Sequence, residues 1–167
     1  MLDASLYREL RTDPMAGIQA VIVVILASIA AAVGIAVDAA LSDREVGGAI
    51  GLAVLVMPGL WLIQATSALM FGRLSYDRGG QKPTIGEVAN SLGYSASPGV
   101  LFVFLFIPVA GPVLATLVVF YMLVTMIMAV KSTLSVSTFR AFLAVGPGFL
   151  LRLVVVALVA GSGGAAA

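Results

Sequence analysis

The sequence predicts an all-α membrane protein, a bundle of five transmembrane helices preceded by a short N-terminal interfacial helix. Three observations carry that prediction. Of 167 residues, 61% are hydrophobic and 10% charged, whereas soluble domains carry about 45–50% apolar and about 25% charged residues. The stretches Ile18–Leu41, Val46–Phe71, Pro98–Val130 and Phe139–Ala160 hold few or no formal charges. Each reaches the roughly 20 apolar residues that cross a bilayer. Finally, the basic residues alternate between the two ends of these stretches in a way that counts the crossings.

The elements follow in order. Leu2, Leu6 and Leu10 recur at every fourth position, with Arg8, Glu9 and Arg11 between and after them. This pattern suits a short helix (1–16) lying in the cytoplasmic interface and ending before Pro14, because proline drives the preceding residue out of the helical region. Its simplest role is a foot for span one rather than a recruiting helix. Span one (17–41) is longer than the 7–15 apolar residues of a signal peptide, so it is read as a retained helix. Ser28, Ala32, Ala36 and Ala40 form a small-residue stripe along it, and Gly47-x-x-x-Gly51 opens span two (46–71). Small residues let helix backbones approach closely in lipid, and packing inside one chain is preferred here to a seam between copies. Span two also carries a Pro58-Gly59 break and the polar residues Gln64, Thr66 and Ser67.

The 33 residues of Pro98–Val130 decide the count. Their centre, Ile107-Pro108-Val109-Ala110-Gly111-Pro112, is a turn, since proline removes a helical donor and clashes with the preceding turn. Two spans need roughly 40 residues, so the first must begin upstream, where Thr84-Ile85-Gly86-Glu87 is a capping box. Span three is therefore one helix over 85–107, polar at first and apolar later. Spans four and five take 111–131 and 138–160, and residues 161–167 form a flexible Gly/Ala-rich tail. With the N-terminus inside, five crossings place seven Lys/Arg in the cytoplasm and one outside, and leave Arg152 within a span. That distribution obeys the positive-inside bias, and four spans would break it.

The chain has neither Cys nor His. Thiolate nucleophiles, Cys-ligated zinc, iron–sulfur clusters and imidazole chemistry are thereby excluded. No carboxylate pair at helical spacing lies within a span and no nucleophile motif is visible, so no catalysis, cofactor or metal is expected. No dense Lys/Arg cluster points to nucleic acid.

Candidate residues are those whose polarity or backbone habit is out of place in a bilayer. Asn90, Ser91, Tyr94, Ser95 and Ser97, followed by Pro98-Gly99, put polar and broken backbone inside span three. Such backbone survives only within protein or beside a water-filled cavity. Discontinuous helices with polar flanks, here at Pro58 and Pro98, mark transport sites in some proteins, although no internal repeat is visible; packing with self-satisfied hydroxyls is the simpler reading. Asp38, near the outer end of span one, and Arg152 in span five are intramembrane charges, which are functional candidates by default. At similar depth they are expected to pair, with snorkelling of Arg152 as the alternative. Glu87 is read as a cap, and Met122, Met126 and Met128 as lipid-facing or gap-filling.

Several of these residues together resemble the Yip family, the Ypt-interacting-protein domain. Arg11-Thr12-Asp13-Pro14 resembles the Asp-Pro entry of bacterial members. Gly93-Tyr94-Ser95-Ala96-Ser97-Pro98-Gly99 is similar to the Gly-Tyr-x-x-x-Pro signature of the third helix. Gly111-Pro112 and Ser137-Thr138-Phe139-Arg140-Ala141 fit the entries to spans four and five. The similarity runs from about Tyr7 to Val159. It implies a five-helix domain with a cytoplasmic N-terminus, in a bacterial inner membrane, whose eukaryotic relatives associate with small GTPases and vesicle traffic. Those relatives carry a long cytoplasmic region with an Asp-Leu-Tyr-Gly-Pro motif, which is lacking here; this argues against small-GTPase binding. The expected role is a non-enzymatic scaffold or accessory subunit, with other membrane proteins, itself and the bilayer as partners. The competing expectation is a small transporter or channel component.

Overall fold

A computed structural model describes residues 15–42, 47–74 and 84–162 of the chain. The proposed interfacial helix with Asp13 and Pro14, and the tail from residue 163, lie outside the described residues. The elements are α1 (Ala16–Leu41), α2 (Gly47–Leu74), α3 (Ile85–Ser95), a 3-10 segment (Ser97–Phe106), α4 (Ala110–Leu134) and α5 (Thr138–Ser162). Five segments are long and apolar enough to cross a membrane: Ala16–Leu41, Val54–Gly72, Ile85–Phe106, Ala110–Leu134 and Thr138–Val155. The third joins α3 to the 3-10 segment, so the six elements of the described residues make five candidate crossings.

Local chemistry sets the boundaries. The capping box forms as expected, with Glu87 N–H donating to Thr84 Oγ1 at 3.3 Å and Thr84 N–H to Glu87 Oε2 at 3.0 Å. The turn before α4 is tight: Ala110 N–H donates to Pro108 O at 2.7 Å, around Val109 at φ 65°, ψ −50°. This is the strained form of the three-residue γ-turn. α4 ends at Ser135 in the left-handed region, and Ser137 Oγ then receives the Arg140 N–H at 3.4 Å to open α5.

Span three differs from the expectation of one continuous α-helix. The α-helix stops at Ser95 and the chain continues as a ten-residue 3-10 helix, where such runs seldom exceed 3–4 residues. Pro98 is the local cause. It has no N–H to give to the preceding turn, and Gly99 N–H donates to Ala96 O three residues back, at 2.9 Å.

Around the bundle the neighbours run α1, α2, α5, α4, span three and back to α1, and α3 also reaches α2. The core gathers Leu69 of α2, Val88 and Leu92 of α3, Met122, Met126, Val130 and Leu134 of α4, and Val145 and Phe149 of α5. Met122 and Met126 are thus core fillers. Large apolar side chains such as Ile22, Ile25, Phe120, Val124, Leu150 and Val154 face outward, as a lipid-solvated surface requires.

Span three seats on α1 through missing side chains. A methyl group at Gly34 would lie 2.1 Å from Phe102 O, and one at Gly93 would lie 2.7 Å from Ala20 Cβ. Close approach of this kind supplies packing energy between helices in lipid. It does not follow the stripe read from the sequence. Ser28 and Ala32 are buried, but Ala36 is half-buried and Ala40 exposed. Besides Ser28 and Ala32, the buried small residues of α1 are Ala16, Ala20, Ala30, Ala31, Gly34 and Ala39, and span three approaches at Ala20 and Gly34. Gly51 likewise has open space where its side chain would be.

Candidate functional site

The candidate site forms where α1, α2, α4 and α5 meet the break in span three. Its first component answers the Pro98 defect. In a continuous α-helix Ser95 O would accept from Gly99 N–H, but that donor is turned to Ala96 O. Thr125 Oγ1 of α4 takes its place, its single O–H shared between Ser95 O at 3.1 Å and Met122 O at 2.8 Å. A buried carbonyl without a partner is costly in lipid, so this hydroxyl joins α4 to the junction. Ser95 Oγ itself donates to Leu92 O at 2.7 Å.

The second component is Gln64, near the middle of the second span and 1% exposed. Its Nε2 donates to Val145 O of α5 at 2.9 Å, and its Oε1 is buried without a partner. α5 makes room for it at Gly146-Pro147-Gly148. A methyl group at Gly148 would stand 2.8 Å from Gln64 Oε1 and 2.3 Å from Ser67 Oγ. One turn before Gln64, Trp61 Nε1 donates to Ala89 O of α3 at 3.1 Å. α2 is thereby hydrogen-bonded to two neighbours.

Arg152 is the third component. It lies fourteen residues after Thr138, the first residue of α5, about 21 Å along the axis and hence well inside a hydrocarbon core about 30 Å thick. Its guanidinium Nη2 reaches Met57 Sδ of α2 at 3.6 Å, a weak acceptor. The expected pairing with Asp38 is replaced by this contact. Arg152 borders a cavity with Val24, Ala27, Ser28 and Ala31 of α1, whereas Asp38 lies seven residues, about two turns, beyond Ala31. Asp38 is half-buried and engaged elsewhere.

That cavity has a volume of about 30 Å³, and its lining includes Gln64, Arg152, Ser28, Trp61, Met57 and Gly99. It is large enough for about two waters. Several of its donors are already committed, Ser28 Oγ to Val24 O at 2.8 Å and Trp61 to Ala89 O.

The remaining polar residues of span three sit nearer its start. Tyr94 OH donates to Gln19 Oε1 of α1, and its ring packs against Ala16 and Ala129. Ser91 and Thr133 share a buried hydroxyl pair at 2.6 Å. Gly93, Ser95 and Gly99 are buried and Pro98 half-buried, so the segment is shielded as expected, except that Ser97 is exposed. It borders an open apolar groove with Leu101, Leu114, Leu117 and Tyr121. The 3-10 twist turns Ser97 outward while its neighbours stay inside.

No family model, curated protein or solved structure matches the chain. The site must therefore be read from its own geometry. The structure brings Gln64, Gly99 and Arg152 to one cavity, with Pro98 beside it, and leaves Asp38, Gly93 and Tyr94 outside its lining. Among the described residues no group of three metal-ligating side chains gathers. Sequence reasoning missed Thr125, Trp61, Met57 and the Gly146-Pro147-Gly148 run. The last had a signal, a proline between two glycines inside an apolar run. Thr125 had none, because a lone threonine in a span more often bonds its own helix.

Proposed function

We propose that the chain is a non-enzymatic membrane scaffold or accessory subunit, a five-helix bundle similar to Yip-family proteins that docks other membrane proteins or organises the surrounding bilayer. The observation that supports this reading best is how the polar interior is spent on holding helices together. Thr125 ties α4 to the junction, Gln64 ties α2 to α5, Trp61 ties α2 to α3, and Ser91 meets Thr133. The cavity among them, of about 30 Å³, is too small for an organic substrate. The basic residues favour a cytoplasmic N-terminus and an external C-terminus, and the resemblance to bacterial Yip-family members implies a bacterial inner membrane. Small-GTPase binding is not part of the proposal. The deciding experiment is affinity purification in mild detergent after crosslinking in native membranes. Reproducible recovery of specific membrane proteins, or of a second copy, supports docking, and recovery of the chain alone with lipid removes it.

A second reading, a small transporter or channel component, has its own observation: Gln64 and Arg152 border one cavity beside the break at Pro98. α2 runs as one helix through Pro58, so the expected break there does not occur, and span three alone supplies a discontinuous helix of the kind that holds substrate in many secondary transporters. Flux of ions or small solutes into proteoliposomes containing the purified protein would favour it over the scaffold.

A further inference from the structure

The cavity beside Arg152 has an unbalanced chemistry. Its lining contains one cation, one amide, one hydroxyl and one indole, and no acid. Among the described residues the guanidinium meets only a thioether sulfur, Met57 Sδ at 3.6 Å. A guanidinium this deep in a span is costly unless something of opposite charge or strong polarity accompanies it. Asp38 does not supply that charge, since α1 carries it about two turns away from the lining residue Ala31. Water alone would solvate the remaining N–H groups but leave the positive charge in a low-dielectric slab. The Ser28 hydroxyl and the Trp61 indole are spent on Val24 O and Ala89 O. Arg152 retains N–H groups beyond its contact with Met57, in a planar fork that suits an anion.

Size then limits which anion fits. About 30 Å³ takes roughly two water-sized particles, room for a monatomic anion. Gln64 sets the other end of the site. One N–H of its Nε2 donates to Val145 O, and the second amide N–H remains as a further donor. We propose that this cavity binds one monatomic anion of the size and charge of chloride on the Arg152 guanidinium. The inference concerns the cavity alone and stands apart from whether the chain docks other proteins.

The test uses the full chain purified in detergent. Thermal unfolding is followed in sodium chloride and in sodium gluconate at equal ionic strength, gluconate being too large to enter. A saturating anion is expected to raise the midpoint by about 3 °C or more, with bromide acting like chloride. Arg152→Met is expected to abolish the difference, and Arg152→Lys to retain part of it. Equal midpoints for the wild-type chain in the two salts, or a chloride effect that persists in Arg152→Met, would overturn the proposal. Should Arg152→Met fail to fold, crystals grown in bromide decide the question. An anomalous peak beside the Arg152 guanidinium supports the site, and its absence refutes it.

Discussion

Thr125 and Val109 show how single side chains manage the two awkward points of span three. Thr125 Oγ1 gives a hydrogen to Ser95 O at 3.1 Å, replacing a donor that the 3-10 geometry has turned away. Thr125→Val keeps the shape and removes the donor. It is expected to cost about 1 kcal/mol, measured by reversible unfolding in mixed detergent, while Thr125→Ser should lie close to wild type. Val109 carries the opposite sign. A β-branched residue at φ 65° is held in a disfavoured conformation, and at 84% exposure its side chain contributes little packing in return. Val109→Gly is expected to stabilise the protein by about 1 kcal/mol, seen as a higher unfolding midpoint; a lower midpoint would mean that the side chain is needed there.

Among the elements, the contact between α1 and span three rests on absent side chains, and two glycines with unlike surroundings test this. Gly34→Ala places a methyl 2.1 Å from the backbone oxygen of Phe102. Neither helix can yield locally, so a loss of about 1–3 kcal/mol is expected. Gly51→Ala meets nothing within 4 Å and is expected to gain up to about 1 kcal/mol from helix propensity alone. Equal effects of the two would remove the close-packed seam. The same pair shows what the sequence could and could not disclose. Apolar run length and the Pro108–Pro112 turn made the five crossings legible, and Thr84 with Glu87 announced the start of α3. Which of many Ala and Gly positions carry the contact was not legible. In a helix apolar on every side no periodicity separates the buried face from the lipid-facing one, so the stripe drawn through Ala36 and Ala40 missed the true seam at Ala20 and Gly34. The site was half legible for a related reason. Gln64, Pro98 and Arg152 stand out by their chemistry, but partners such as Met57 and Thr125 are defined only by the crossing of helices far apart in the chain.

At the level of the whole molecule, the arrangement of spans fixes which loops share a side of the membrane. Reporter fusions after Arg11, within 75–82 and within 132–138 are expected to score cytoplasmic, and fusions at Ser42 and Gly163 external, on the strength of the seven-to-one basic bias. A cytoplasmic score at Gly163 would overturn the orientation and require span three and its turn to form a re-entrant hairpin. Five crossings also give the bundle a neighbour order in which span three lies between α1 and α4 while α3 reaches α2. Span three thus has neighbours on three sides.

The change of pitch within span three also has a consequence for how the protein fits its solvent. Eleven α-helical residues and ten 3-10 residues advance about 36 Å at about 1.5 and 2.0 Å per residue. The 25 residues of α4 advance about 38 Å as an α-helix. Wound as α-helix throughout, Ile85–Phe106 with its 22 residues would reach only about 33 Å. The greater rise per residue of the tighter 3-10 winding thus recovers most of the height that the shorter segment lacks. It brings the ends of span three nearly level with those of its neighbours, so that one hydrocarbon thickness serves them all without local thinning of the bilayer.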